Sequence, residues 1–303
     1  MTIGRWLVLV AGIVGISWAA PLTKLADPAP VLTIAALRLA VASPPMIGYA
    51  ALRGVDDLRS ARAGDRWTLV LAAVALAAHF FFWIAALQRT SVITGVVLVT
   101  MQPVFVGIGA WLFLRERPSR PVVVGAGIAF AGALLLAGDD LGDHGSLFGD
   151  LLAVIGGVMS SVYLVIGRGA RQRLSTASYG AAVFTMTALL LLVAALVSGT
   201  ALRGQPADSY LAIVALAIAS QLVGHNALNW TLGFLPAAVV AVAILGEPVG
   251  ATLIAAIVLD EVPTLLELAG AAVVLLGVYF ALRDVEAAVA SGTVAPPPAA
   301  QPR

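Results

Sequence analysis

Apolar residues run through the chain in blocks of about twenty, each closed by a charge, a proline or a glycine. A bilayer core about 30 Å thick needs about 20 residues of helix at 1.5 Å rise, so blocks of this length predict membrane-spanning helices. Ten are predicted, near 3–23, 31–52, 67–88, 92–114, 121–138, 147–167, 177–199, 209–231, 235–259 and 264–282. The longest pieces between or beyond them are 53–66 and 283–303, so nothing outside the membrane is long enough to hold a core of its own. From residue 284 onward the chain reads as a disordered tail, Ala/Pro-rich from Ala287. The first block has the look of a signal peptide, with Arg5 ahead of an apolar run that ends in small residues. Pro21 sits poorly beside a cleavage site and the run is long, so it is read as the first span.

Composition agrees with an all-α membrane protein: 61% of the 303 residues are apolar, 11% are charged, and the mean hydropathy is +1.02. A net charge of +1 leaves no basic surface for nucleic acid, and the absence of cysteine excludes disulfides, thiolate chemistry and cysteine zinc sites. The basic residues divide unevenly over an alternating ten-helix plan. One side takes thirteen: Arg5, Arg53, Arg59, Arg62, Arg66, Arg115, Arg117, Arg120, Arg168, Arg171, Arg173, Arg283 and Arg303. The other takes Lys24, Arg89 and Arg203, while Arg38 lies within the second span. The bias predicts cytoplasmic N- and C-termini, with the acidic loops Asp139, Asp140, Asp143 and Asp260, Glu261 on the opposite side.

The chain also matches itself without gaps at an offset of 145 residues. Gln102-Pro103 falls on Glu247-Pro248, Glu116-Arg117-Pro118 on Glu261-Val262-Pro263, Gly125 on Gly270 and Gly132 on Gly277, while Gly12 falls on Gly157 and Trp18 on Tyr163. The unit holds five helices. Five is odd, so the second copy, 147–283, is inverted relative to the first, 3–138. Inverted repeats are a mark of secondary transporters, whose substrate site lies at the repeat interface near the midplane.

Together the ten-helix plan, the arginine in AALRLA, the QP and EP helices ending in LRERP and LDEVP, and the glycine-spaced closing helices resemble the EamA family of the drug/metabolite transporter superfamily. The stretch GHNALNWTLGFLPAAVVAVAILGEPVGATL carries the strongest likeness, and the resemblance covers roughly 3–283. It implies a carrier of the bacterial inner membrane, typically an exporter of amino acids, metabolites or toxic organic compounds, and fixes no single cargo.

Of the charged residues inside the spans, Arg5, Asp150 and Glu267 lie in first turns and reach the interface, which leaves Arg38 and Glu247. Glu247 is the 13th residue of a 25-residue span. A carboxyl at the midplane costs at least about 2.5 kcal/mol and belongs in a cavity rather than in lipid, which makes Glu247 a candidate proton carrier. The alternative is a hydrogen bond to a neighbouring helix that anchors the break at Pro248. Its repeat partner Gln102 precedes Pro103, and each proline removes a backbone hydrogen bond mid-membrane. Pro103, Pro248, Gly246 and Gly250 are therefore candidate hinges, with kinking and close packing as the simpler reading. Gln221, His225 and Asn229 recur at i, i+4, i+8 as one polar stripe that lines either a translocation path or a seam between helices. His79 and Trp83 share a face, and Trp18 and Tyr163 are candidate aromatic walls, with core packing as the alternative. Arg38, eight residues into its span, is a candidate partner for a substrate carboxylate, or else snorkels to the interface. Glu116 and Glu261 end opposite helices as gates or caps, with Arg115, Arg117 or Arg120 as candidate partners for Glu116.

The three histidines, His79, His144 and His225, lack metal-ligand spacing, and no P-loop, dinucleotide or Ser-His-Asp signature is present. The expectation is a cofactor-free, non-enzymatic carrier, a monomer or weak homodimer in a lipid bilayer, with a small-molecule substrate. It exports amino acids or related amphipathic compounds by alternating access, coupled to protons through Glu247 or running downhill. Organic cations are the second cargo class. A membrane-embedded lipid-processing enzyme is the alternative from another class.

Overall fold

The computed structural model describes residues 3–90, 92–137, 147–258 and 263–290, and among these every regular element is helical. Ten helices follow in order: α1 (Ile3–Leu25), α2 (Val31–Arg53), α3 (Ala63–Leu87), α4 (Val92–Val99 and Gln102–Gly109, closed by a wide turn at Ala110–Leu114), α5 (Arg120–Ala137), α6 (Leu147–Ala170), α7 (Thr176–Val197), α8 (Ala207–Thr231), α9 (Ala237–Val258) and α10 (Leu265–Ala290). Among the described residues, nine are long and apolar enough to cross a bilayer, and α5 is a shorter apolar tenth. The chain is thus a multi-pass membrane protein built as two inverted five-helix repeats. Large apolar side chains such as Leu7, Leu52, Trp67, Val197 and Leu265 are more than 60% exposed on its outer surface, as suits a surface that faces lipid.

Several ends differ from the hydrophobic blocks. The helix of α3 begins at Ala63 rather than 67, because the Arg62 N–H donates to the Asp65 carboxylate at 3.1 Å and starts the helix a turn earlier. At the other end of the chain α10 continues to Ala290, so residues 284–290, expected in the tail, are helical. Charges at Arg283, Asp284 and Glu286 end the apolar run, whereas the alanines around them sustain the helix. Residues 291–303, the loop with Asp139, Asp140, Asp143 and His144, and the turn with Asp260 and Glu261 lie outside the described residues.

The helix pairs respect the repeat. Helix α3 packs on α6 and, equivalently, α8 on α1, while α5 with α10, α2 with α7 and α4 with α9 are each a pair that exchange of the repeats maps onto itself. Glycine sets the closest of these approaches. A Cβ added at Gly125 would lie 2.6 Å from the Gly277 carbonyl, and one at Gly132 would lie 2.8 Å from the Gly270 carbonyl. The two glycine matches found in the sequence therefore meet crosswise, each repeat's first glycine against the other's second.

Both α4 and α9 break at equivalent places, α4 at Thr100-Met101 and α9 at Leu245-Gly246. Each helix restarts with the residue before proline, Gln102 or Glu247, so Pro103 and Pro248 occupy the first turn of the new segment, where a missing N–H costs nothing. The breaks thus precede the prolines rather than follow them. Two further irregularities bear on the centre of the bundle: α1 is interrupted at Trp18, and α8 is wound in π geometry over Ala217–His225.

Candidate functional site

The restarted segments of α4 and α9 begin at a small cavity of about 40 Å³ in the middle of the bundle. It has room for about three water molecules and so represents a nearly closed site. Side chains from seven helices line it: Ile16 and Ala19 of α1, Arg38 of α2, His79, Phe80 and Trp83 of α3, Val99 and Gln102 of α4, Ser160, Tyr163 and Leu164 of α6, His225 and Leu228 of α8, and Ile244 and Glu247 of α9. Both repeats contribute.

Arg38 is fully buried. Its Nη2 donates to Ser220 Oγ at 3.0 Å and to Gln221 Oε1 at 3.1 Å, and the guanidinium lies 4.0 Å above the centre of the Phe80 ring. Among the described residues its Nε and Nη1 have no acceptor, and neither does the indole N–H of Trp83 in the same cavity. Gln102 accepts a hydrogen bond from Ser160 Oγ at 2.9 Å. The hydroxyl of Tyr163 donates to Asn229 Oδ1 at 2.7 Å.

The two intramembrane histidines face each other. The rings of His79 and His225 are 6.4 Å apart, and His79 is stacked on Trp83 at 6.1 Å with 17° between the planes. His79 Nδ1 lies 2.9 Å from the Gly156 carbonyl, an acceptor only, so this nitrogen carries the proton and Nε2 is left for other partners.

At the arginine-rich end, the chain closes over this site. Arg168 Nε donates to Glu116 at 2.7 Å, Arg168 Nη1 to the Leu232 carbonyl at 2.9 Å, and the other Glu116 oxygen accepts from the Ala237 N–H at 3.3 Å. One carboxylate thereby ties the end of α4 to the end of α6 and caps the start of α9. Arg171 adds bonds from Nε to the Asn229 carbonyl (2.9 Å), from Nη2 to Thr176 Oγ1 (2.7 Å) and from Nη1 to the Leu174 carbonyl. Burial pushes its guanidinium down to about 10, so it stays charged at neutral pH. In the turn Asp56–Arg59, partial burial alone would raise the Asp57 carboxyl. The Ser175 N–H and the Ser178 hydroxyl, each at 2.6 Å, instead hold it below the usual carboxylate range.

Of the residues expected from sequence, Arg38, His79, Trp83, Gln102, Tyr163, His225 and Glu247 come together around the cavity. Gln221 and Asn229 are buried one layer behind it, as partners of Arg38 and Tyr163. The polar stripe of α8 thus faces inward, with His225 alone reaching the cavity. Trp18 does not line it, because the helix breaks at that residue and turns the indole into the packing around α1. Glu116 pairs with Arg168, not with Arg115, Arg117 or Arg120, because Arg115 adopts a left-handed turn (φ 58°) that ends the helix and directs the chain toward α6 and α9. Phe80, Ser160 and Ser220 escaped sequence reasoning. Phe80 adjoins His79 and Ser220 adjoins Gln221, so adjacency to a singled-out polar residue was the available signal.

The EamA-like transporter family model matches the chain twice, over residues 2–138 and 147–283. An uncharacterized transporter of Archaeoglobus fulgidus is 28% identical over 209 residues, 68% of this chain and 72% of that protein. The uncharacterized transporter YwfM of Bacillus subtilis is 28% identical over 127 residues, 41% of this chain and 43% of the relative. A solved structure described only as "Crystal structure of protein" superposes with a TM-score of 0.79 at 22% identity, covering 95% of this chain and 99% of that one, which is a likeness of fold.

Proposed function

The chain belongs to the EamA-like transporter family, and from that premise we propose that it is a secondary carrier exporting small amphipathic metabolites, amino acids first among them, by alternating access through the central cavity. One observation carries the reading: the broken helices of both repeats restart at the same polar, aromatic-lined cavity, with Gln102 from one and Glu247 from the other. Discontinuous helices meeting at a midplane site are how inverted-repeat carriers bind solute and rock around it. The arginine bias supports a cytoplasmic position for the closed end, with Glu116 and Arg168, and for both termini; on this reading the membrane is the inner membrane of a bacterium. The single acidic side chain lining the cavity, Glu247, is the candidate proton carrier. The protein acts as a monomer or weak homodimer, since the cavity is complete within one chain.

Counterflow into proteoliposomes tests this, screened over amino acids, nucleosides and organic cations, with and without a pH gradient. Saturable exchange of amino acids, accelerated by the gradient, is the expected result. Exchange indifferent to the gradient makes the protein a facilitator, and turnover of a lipid with no exchange of any solute overturns the carrier reading.

A further inference from the structure

We propose that the cavity reads a zwitterion end to end, with Arg38 seating the carboxylate of the cargo and Glu247 its ammonium group. This rests on the carrier reading above and names the substrate class and the orientation of the cargo.

The state of Arg38 carries the argument. A buried arginine that serves only structure is neutralised by a carboxylate, or spends its donors on backbone carbonyls. Arg38 does neither. Its contacts to Ser220 Oγ, Gln221 Oε1 and the Phe80 ring are all to neutral groups, which fix the plane of the guanidinium and leave its charge intact. Nε and Nη1 remain buried without acceptors. Donors held in place and left unpaired at a cavity wall are suited to an anionic ligand with two oxygens. The indole N–H of Trp83 is another unpaired donor at the same wall.

Glu247 is the natural counterion and attracts Arg38 across the cavity, but the two form no salt bridge within 4 Å. Among the described residues the ion pairs are Asp56–Arg59, Glu116–Arg168 and Asp65–Arg173. Arg38 and Glu247 line one cavity with no hydrogen bond or ion pair between them, so each is available to a ligand placed between them. That arrangement selects by charge. A lone cation meets Arg38, a lone anion meets Glu247, and a neutral solute leaves the guanidinium donors unpaired. A molecule with a carboxylate and an ammonium group satisfies both.

The test is counterflow of the purified full-length protein in proteoliposomes with four probes that share one side chain: phenylalanine, phenylalanine amide, phenethylamine and 3-phenylpropionate. The leucine series is run in parallel. Removing either charge is expected to lower exchange by about tenfold to a hundredfold, the worth of one charge-assisted pair in a dry site. Arg38→Lys should keep part of the activity, whereas Arg38→Gln should bring phenylalanine and its amide to equal rates. The series on the unaltered protein stands even where an Arg38 variant fails to fold. Amide or amine exchanged as well as the parent amino acid overturns the seat. Exchange confined to nucleosides or organic cations overturns it too, and leaves the carrier reading intact. No exchange of any solute removes both.

Discussion

The hydroxyl of Ser17 donates to the Ile13 carbonyl of its own helix at 2.8 Å and shares that proton with the backbone carbonyl of Glu247 at 3.3 Å, which sets α1 against the point where α9 restarts. The other repeat has the same device one position out of register, with Ser161 Oγ donating to the Gly157 carbonyl at 2.7 Å and sharing that proton with the Gln102 carbonyl at 3.2 Å. Each break is thus met by a serine from the first helix of a repeat. The approach on the α9 side requires glycine: a Cβ at Gly250 would collide with the Ser17 side chain. Gly250→Ala should therefore lower thermal stability in detergent, with overpacking costing about 1–3 kcal/mol. Adding Ser17→Gly should restore most of the loss. If the double variant is no more stable than Gly250→Ala alone, the collision is not the cause.

Much of this fold was legible in the chain, and the reasons are local. The match of Gln102-Pro103 to Glu247-Pro248 and of Gly125 and Gly132 to Gly270 and Gly277 survives because breaks and close crossings tolerate few residue types, so both copies kept them. The environment of Arg38 was not legible. An arginine a third of the way into a span has two solutions, outward to the interface or inward to partners. Its partners Ser220 and Gln221 lie 182 and 183 residues away on a helix whose π winding no periodicity announces. Trp18 misled for the opposite reason: its match to Tyr163 is a match of position, but α1 breaks there and α6 does not.

On the carrier reading proposed above, the Glu116–Arg168 ion pair is the latch at the cytoplasmic end. Its 2.7 Å bond is partly screened, with the side chains 14% and 25% exposed, but it works together with the bonds to Leu232 and Ala237. Glu116→Gln or Arg168→Gln should shift the protein toward a cytoplasm-open form. Charge-assisted bonds of this kind contribute about 1.5–3 kcal/mol, hence a change in population of about tenfold or more. Because the chain has no cysteine, Leu164→Cys in the cavity wall makes a clean reporter. Its labelling by a membrane-impermeant maleimide from the cytoplasmic face should rise about tenfold in the latch variants. Equal labelling with and without the latch would show that it does not gate the site.

Asp57 gives stability a defined pH dependence. Its carboxylate caps the start of α7 through the Ser175 N–H and the Ser178 hydroxyl, and these bonds hold its folded pKa below the unfolded value of about 4. A depressed carboxyl stabilises the fold above its unfolded pKa and loses that contribution as pH falls through the folded one. Asp57→Asn should thus cost about 0.5–2 kcal/mol at neutral pH, the worth of a helix cap. The gap in melting temperature between wild type and variant should hold from pH 7 to about 5 and close below about 4. A gap that stayed constant down to pH 3 would mean that shape, not charge, is what Asp57 contributes.

On the carrier reading proposed above, Glu247 is the candidate proton carrier. It lines the cavity at the start of a half-helix and is joined there by Gln102, which occupies the matching position in the other repeat and cannot carry a proton. The site is asymmetric at this position, glutamate in one copy and glutamine in the other, so only one of the two side chains is able to carry a proton. Glu247→Gln makes the two copies alike. In proteoliposomes the ratio of uptake with a pH gradient to uptake without one should fall to about one, while exchange persists with weaker affinity, because the amide keeps the shape of the site and loses the charge that holds an ammonium group. The reciprocal variant Gln102→Glu should retain a gradient dependence. If the ratio for Glu247→Gln equals that of the wild type, the proton travels by another group, and the facing rings of His79 and His225, 6.4 Å apart, become the pair to replace next.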